Sequence, residues 1–77
     1  MIIKFYTAGC APCKAVSAIL DELQISYEDI DIGKDMESAI KHRVRTVPTL
    51  VNTETGKRLI GFKDKTTVED WINDNCD

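Results

Sequence analysis

Residues 10–13 read CAPC, and Lys14 follows directly. Two thiols spaced by two residues are a pattern for thiol–disulfide exchange. In that chemistry a thiolate is the nucleophile, yet a free cysteine near pKa ~8.5 is mostly protonated at neutral pH. The pair therefore needs a setting that favours an anion at one sulfur and brings the second within reach. Two other uses of such a pair compete. A closed structural zinc site wants four ligands, often two such pairs. Here the remaining candidates are Cys76 and His42, which lie far apart on different expected helices. A purely structural disulfide would close so short a loop that it restrains little of the unfolded chain.

The elements around the pair suit exchange. Ile2 to Tyr6 is a short run of β-branched and aromatic residues and reads as a strand, broken by Thr7 to Gly9. Beyond Pro12 the apolar positions Val16, Ile19, Leu20 and Leu23 form the stripe of a helix with one buried face, expected to end near Gln24. Cys10 thus falls where a strand hands over to a helix. The first turn of a helix exposes unpaired N–H groups and the positive end of the dipole, which favour a negative sulfur. Lys14 adds a positive charge nearby. Cys13, inside that turn, is placed to resolve the mixed disulfide that Cys10 forms with a target. Pro12 costs nothing there, because the first turn has no use for its missing N–H, and it stiffens the loop.

The rest of the chain continues the alternation. Tyr27 to Ile32 reads as a second strand, with Tyr27, Asp29 and Asp31 on one side and Glu28, Ile30 and Ile32 on the other. Asp35 caps a short helix expected to turn Met36, Ala39 and Ile40 inward. Thr49 to Thr53 and Lys57 to Phe62 read as a hairpin around Glu54-Thr55-Gly56. Thr66 and Glu69 have the spacing of a capping box, and Val68, Trp71 and Ile72 give the stripe of a last helix running to about Asn75. The order is β-α-β-α-β-β-α, with the first two strands parallel and the last two antiparallel.

The totals fit one domain over residues 1–77. The chain is 43% hydrophobic and 30% charged, with a net charge of −3. That balance is ordinary for a folded soluble protein and argues against nucleic acid as the main partner. No apolar stretch is long enough to span a membrane. The N-terminus MIIKFYT lacks the features of a signal peptide, so a cytoplasmic location is expected. A monomer is expected as well. Three cysteines, an odd count, argue against a secreted disulfide framework.

CAPCK after a first strand, followed by VRTVPTL about 35 residues on and a glycine in the next strand, resembles the thioredoxin superfamily. The resemblance runs from Ile2 to about Asn75. It implies an α/β thioredoxin fold with a four-stranded mixed sheet flanked by three helices. It also implies a redox-active Cys10–Cys13 disulfide, no bound cofactor and no metal. It makes Pro48 cis and sets it beside the disulfide, leaving the backbone of Val47 free to pair with an extended partner segment. The size is similar to glutaredoxins, whereas Ala11-Pro12 resembles the Gly-Pro of thioredoxins. Glutaredoxins commonly bind glutathione with a Gly-Gly pair and an Asp after the last strand. Gly61-Phe62-Lys63-Asp64 lacks one glycine, and Phe62 would crowd the tripeptide. A Gly-Phe pair there resembles small redoxins that take electrons from thioredoxin reductase and pass them to ribonucleotide reductase. The expected partners are therefore disulfide-containing proteins and a thioredoxin-reductase-type flavoprotein. A glutathione-dependent glutaredoxin and a module carrying a metal or cluster on its thiols are the alternatives.

Two positions depart from the thioredoxin pattern. Gly9 stands where Trp is usual, and Lys4 stands where a buried Asp assists proton transfer from the second thiol. Lys4 either lies beneath the thiols and stabilises a thiolate, or packs its stem on the sheet with its amine in water. Tyr6 and Trp71 read as packing residues, His42 as a helix-surface residue, and Cys76 as a free thiol near the C-terminus.

Overall fold

Alternation in the first strand organises the molecule. The computed structural model describes residues 1–61 and 64–75. Strand β1 (Ile2–Tyr6) lies in the middle of a sheet, between β2 (Tyr27–Asp31) and β3 (Thr49–Asn52), with β4 (Arg58–Ile60) beyond β3. β1 and β2 are parallel, joined through helix α1 (Ala11–Glu22). β3 pairs antiparallel with both β1 and β4. Helix α2 (Met36–Lys41) connects β2 to β3, and α3 (Lys65–Asn75) follows β4.

Because successive strand residues face opposite sides, β1 feeds two cores. Ile2 packs with Val16 and Leu20 of α1, Leu50 of β3, and Val68 and Ile72 of α3. Ile3 and Phe5 point the other way and pack with Ala39, Val44 and Val51. Lys4 shares its face of β1 with Ile2, so a charged residue occupies a position that the pattern reserves for the core.

Both of the first two helices end in a left-handed residue. α1 stops at Glu22, two residues before the expected Gln24, because Gln24 has φ 58°. Ile25 N–H donates to Leu20 C=O and Gln24 N–H to Asp21 C=O, the paired bonds of a Schellman cap. α2 closes identically: Arg43 has φ 57°, Val44 N–H donates to Ala39 C=O, and Arg43 N–H donates to Ile40 C=O. The guanidinium of Arg58 adds bonds to the carbonyls of His42 and Arg43, at 2.7 and 3.2 Å.

Several expectations change in detail. Met36 and Ile40 are 65% and 70% exposed, not inward-facing; in so short a helix only Ala39 is buried. Asp35 does cap α2, accepting from Ser38 N–H at 3.1 Å. α3 starts at Lys65 rather than after a cap at Thr66. The cap is Asp64, whose carboxylate accepts from Thr67 N–H at 2.8 Å. This bond holds the Asp64 carboxyl below its ordinary value. A charged carboxylate two residues earlier outcompetes the Thr66 hydroxyl for the helix start. The strands are also trimmed: β2 ends at Asp31, β3 at Asn52, and β4 covers only Arg58–Ile60.

Candidate active site

The chain leaves β1 through a tight turn. Cys10 N–H donates to Thr7 C=O at 3.3 Å, and Gly9 has φ +79°. A positive φ at the third residue of such a turn favours glycine. No atom lies within 4 Å of where a Cβ on Gly9 would sit, so backbone conformation, not space, favours glycine. A tryptophan in this backbone conformation would be strained.

Cys10 is the N-cap of α1, with φ −82° and ψ 102°. Its Sγ accepts a hydrogen bond from Cys13 N–H at 3.1 Å. The two cysteines form a disulfide, with Cα atoms 5.3 Å apart. Cys10 is half-buried, whereas Cys13 is 2% exposed. Ala11, Pro12 and Cys13 make the first turn, which contains no acidic residue, and Lys14 follows on the surface. Sγ of Cys10 thus sits where amide hydrogens and the helix dipole both favour negative charge.

A groove of about 420 Å³ runs from the disulfide along α1, and Lys4, Cys10, Cys13 and Lys14 all line it. Lys4 is 3% exposed, so its amine does not reach water as a snorkelling lysine would. Nζ donates to the Ser17 hydroxyl and forms an ion pair with Asp29 at 3.0 Å. The same ammonium lies 5.2 Å from the Tyr6 ring centre and 5.4 Å from that of Tyr27. Burial, with Asp29 and Asp21 nearby, pushes the Tyr27 phenol above its ordinary value. Ser17, Asp29 and Tyr27 did not stand out in the sequence. One signal was available: a lysine at a core position requires a counter-charge, and β1–β2 pairing sets Asp29 opposite Lys4.

The second group of expected site residues lies along the end of the sheet. Continuing the β1–β3 register by one step puts Pro48 opposite Tyr6. Pro48 C=O accepts from Gly61 N–H at 2.9 Å, and Gly61 has φ +84°. The Val47–Pro48 peptide is cis, the isomer that the resemblance implies. Pro48 is buried, and Val47 packs against the core on the α2 side. None of Val47, Pro48 and Gly61 lines the groove that holds Lys4 and the cysteines. Phe62 and Cys76 lie outside the described residues. His42 ends α2 with its ring 5.5 Å from Phe5, on the sheet face away from Lys4. Among the described residues no group of three or more His, Cys, Asp or Glu side chains could hold a metal ion, and no helix is long and apolar enough to cross a membrane.

Known proteins resemble this chain in sequence and fold. A family model described as Glutaredoxin matches residues 2–55. A thioredoxin of Staphylococcus aureus is 27% identical over 81 residues, covering 94% of this chain and 78% of that protein. The structure of a mutant thioredoxin from Halobacterium salinarum NRC-1 superposes with a TM-score of 0.86 at 25% identity, covering 99% of this chain and 74% of that one. Oxidized mitochondrial thioredoxin 3 from Saccharomyces cerevisiae gives 0.81 at 27% identity, covering 95% and 76%. A four-stranded mixed sheet, three helices and a Cys10–Cys13 disulfide at the start of α1 therefore have one explanation: the chain belongs to the glutaredoxin family of the thioredoxin superfamily and is a thiol–disulfide oxidoreductase.

Proposed function

We propose that this protein is a cytoplasmic dithiol carrier that reduces protein disulfides, with Cys10 as the attacking and Cys13 as the resolving thiol. The observation that carries the assignment is the asymmetry of the pair. Cys10 caps α1 and is the more accessible sulfur, whereas Cys13 is almost fully covered. Cys10 Sγ attacks one sulfur of a target disulfide; the target S–S bond breaks and its other sulfur leaves as a thiolate. The thiolate of Cys13 then attacks Cys10 Sγ, the mixed disulfide breaks, and the reduced target departs. The two leaving thiolates take up two protons, and the target's disulfide has passed to the carrier.

The target lies as an extended segment against Val47. Among the described residues no backbone partner pairs with Val47, which supports strand addition there. Pro48 and Gly61, joined by their hydrogen bond, set the border of that surface, and Phe62 follows in sequence. Electrons come from a thioredoxin-reductase-type flavoprotein, and ribonucleotide reductase is among the candidate targets. The glutaredoxin family match favours a second reading, in which glutathione re-reduces the pair.

Insulin reduction driven by NADPH and thioredoxin reductase, run beside a glutathione and glutathione reductase assay, separates the two. Turnover in the first assay, with at least tenfold less in the second, is expected. The reverse ratio would replace the first reading with the glutathione one.

A further inference from the structure

We propose that the Lys4 ammonium, clamped under α1 by Ser17 and Asp29, is a positioning residue that stabilises the thiolate of Cys13. The inference rests on the reading of Cys13 as the resolving thiol.

Burying an ammonium carries a penalty of several kcal/mol, and a well-packed apolar residue in its place is often as stabilising or more so. The groups around Nζ are the Ser17 hydroxyl, the Asp29 carboxylate, and the rings of Tyr6 and Tyr27. Ser17 is one turn along α1 from Cys13 and therefore shares its face of the helix. Lys4 and Ser17 line the same groove as Cys10 and Cys13.

The charges in the groove do not cancel equally. Lys4 and Tyr6 face it from β1, Lys14 and Asp21 from α1, and Asp29 from β2, with Tyr27 beside them. The Asp29 side chain is 45% exposed and that of Lys4 only 4%, so water screens the anion far more than the cation. Burial of Cys13 raises the cost of ionising its thiol, and a nearby cation lowers it. In the mixed disulfide, the Cys13 thiol gives its proton to solvent through the open groove. Its thiolate attacks Cys10 Sγ, the bond to the target sulfur breaks, and the target thiolate takes up a proton. Lys4 holds the anion in the interval.

The test is a pH titration of the reduced, full-length protein, read at the Cβ NMR shift of each cysteine, in the parent, Lys4→Met and Asp29→Asn. Lys4→Met is expected to raise the Cys13 pKa by about one unit. Asp29→Asn, which removes the counter-charge, is expected to lower it. A merely structural role would move melting temperatures but would not move the thiol in opposite directions. An unchanged Cys13 pKa in Lys4→Met, or a shift of the same sign in both variants, overturns the proposal. Should Lys4→Met not fold, Asp29→Asn decides alone: a fall supports the proposal, and a rise or no change overturns it. If the parent cycles between dithiol and disulfide while these shifts are missing, the inference fails and the exchange mechanism stands.

Discussion

The backbone N–H of Cys13 points at the Sγ of Cys10 from 3.1 Å, so the helix itself supplies a hydrogen bond to the sulfur that we propose attacks the target. A hydrogen bond to an ionised acceptor is roughly twice as strong as one to a neutral acceptor, so this donor favours a thiolate at Cys10 once the disulfide opens. The residue that carries the covered sulfur, Cys13, lies three positions further along the chain, and its sulfur is bonded to that of Cys10.

This asymmetry predicts different failures for the two cysteines. Cys10→Ser removes the attacking sulfur and is expected to abolish insulin reduction, at least a hundredfold below the parent. Cys13→Ser keeps the attack but loses the release, so it accumulates mixed disulfides visible by non-reducing electrophoresis. Equal residual turnover in both variants would contradict the assignment of roles.

The left-handed residues that close the first two helices predict a gain in stability. Gln24 and Arg43 hold φ of 58° and 57° without being glycine. A side chain in that conformation costs about 1 kcal/mol that glycine avoids, partly offset by the freer unfolded chain. Gln24→Gly is therefore expected to stabilise by up to ~1 kcal/mol, or about 4–8 °C in melting temperature. Arg43→Gly should act in the same direction. The check is a thermal melt, and a lower midpoint in both variants would contradict the account of the caps.

The cap of α3 predicts a dependence on acid. Hydrogen bonding to Thr67 depresses the folded-state value of Asp64 below 3.8. A depressed carboxyl contributes stability that is fully present above 3.8 and is lost as pH falls through the lower folded value. Asp64→Ala should therefore melt at lower temperature than the parent at neutral pH, and the gap should narrow toward pH 2. A gap that stays constant or widens in acid would show that the charge does not cap the helix.

The sequence made the strand-to-helix junction legible because two periodicities, 2 in β1 and 3.6 in α1, change over at the cysteines. Hydrophobic residues at Val16, Leu20, Val68 and Ile72 were equally readable, since burial is what their spacing encodes. The cap of α3 was harder: Asp64 and Thr66 are both good capping residues, and only the backbone path decides between them. Met36 and Ile40 misled because a six-residue helix lacks the length to bury a whole stripe. The surroundings of Lys4 were least legible. Its partners come from α1 and β2, 13 and 25 residues away in sequence, and meet only when the parallel β1–β2 pair forms. Lys4 as an anomaly was visible; Asp29 as its counter-charge could be reached only through the β1–β2 register, and Ser17 not at all.

The central claim is that the start of α1 holds Cys10 as an anion more readily than water does. Its most direct measurement is the pH profile of iodoacetamide alkylation at Cys10 in the reduced protein, with the modified site identified by mass spectrometry. The account predicts a midpoint at or below about 7.5, against ~8.5 for free cysteine. A midpoint of 8.5 or above would contradict it.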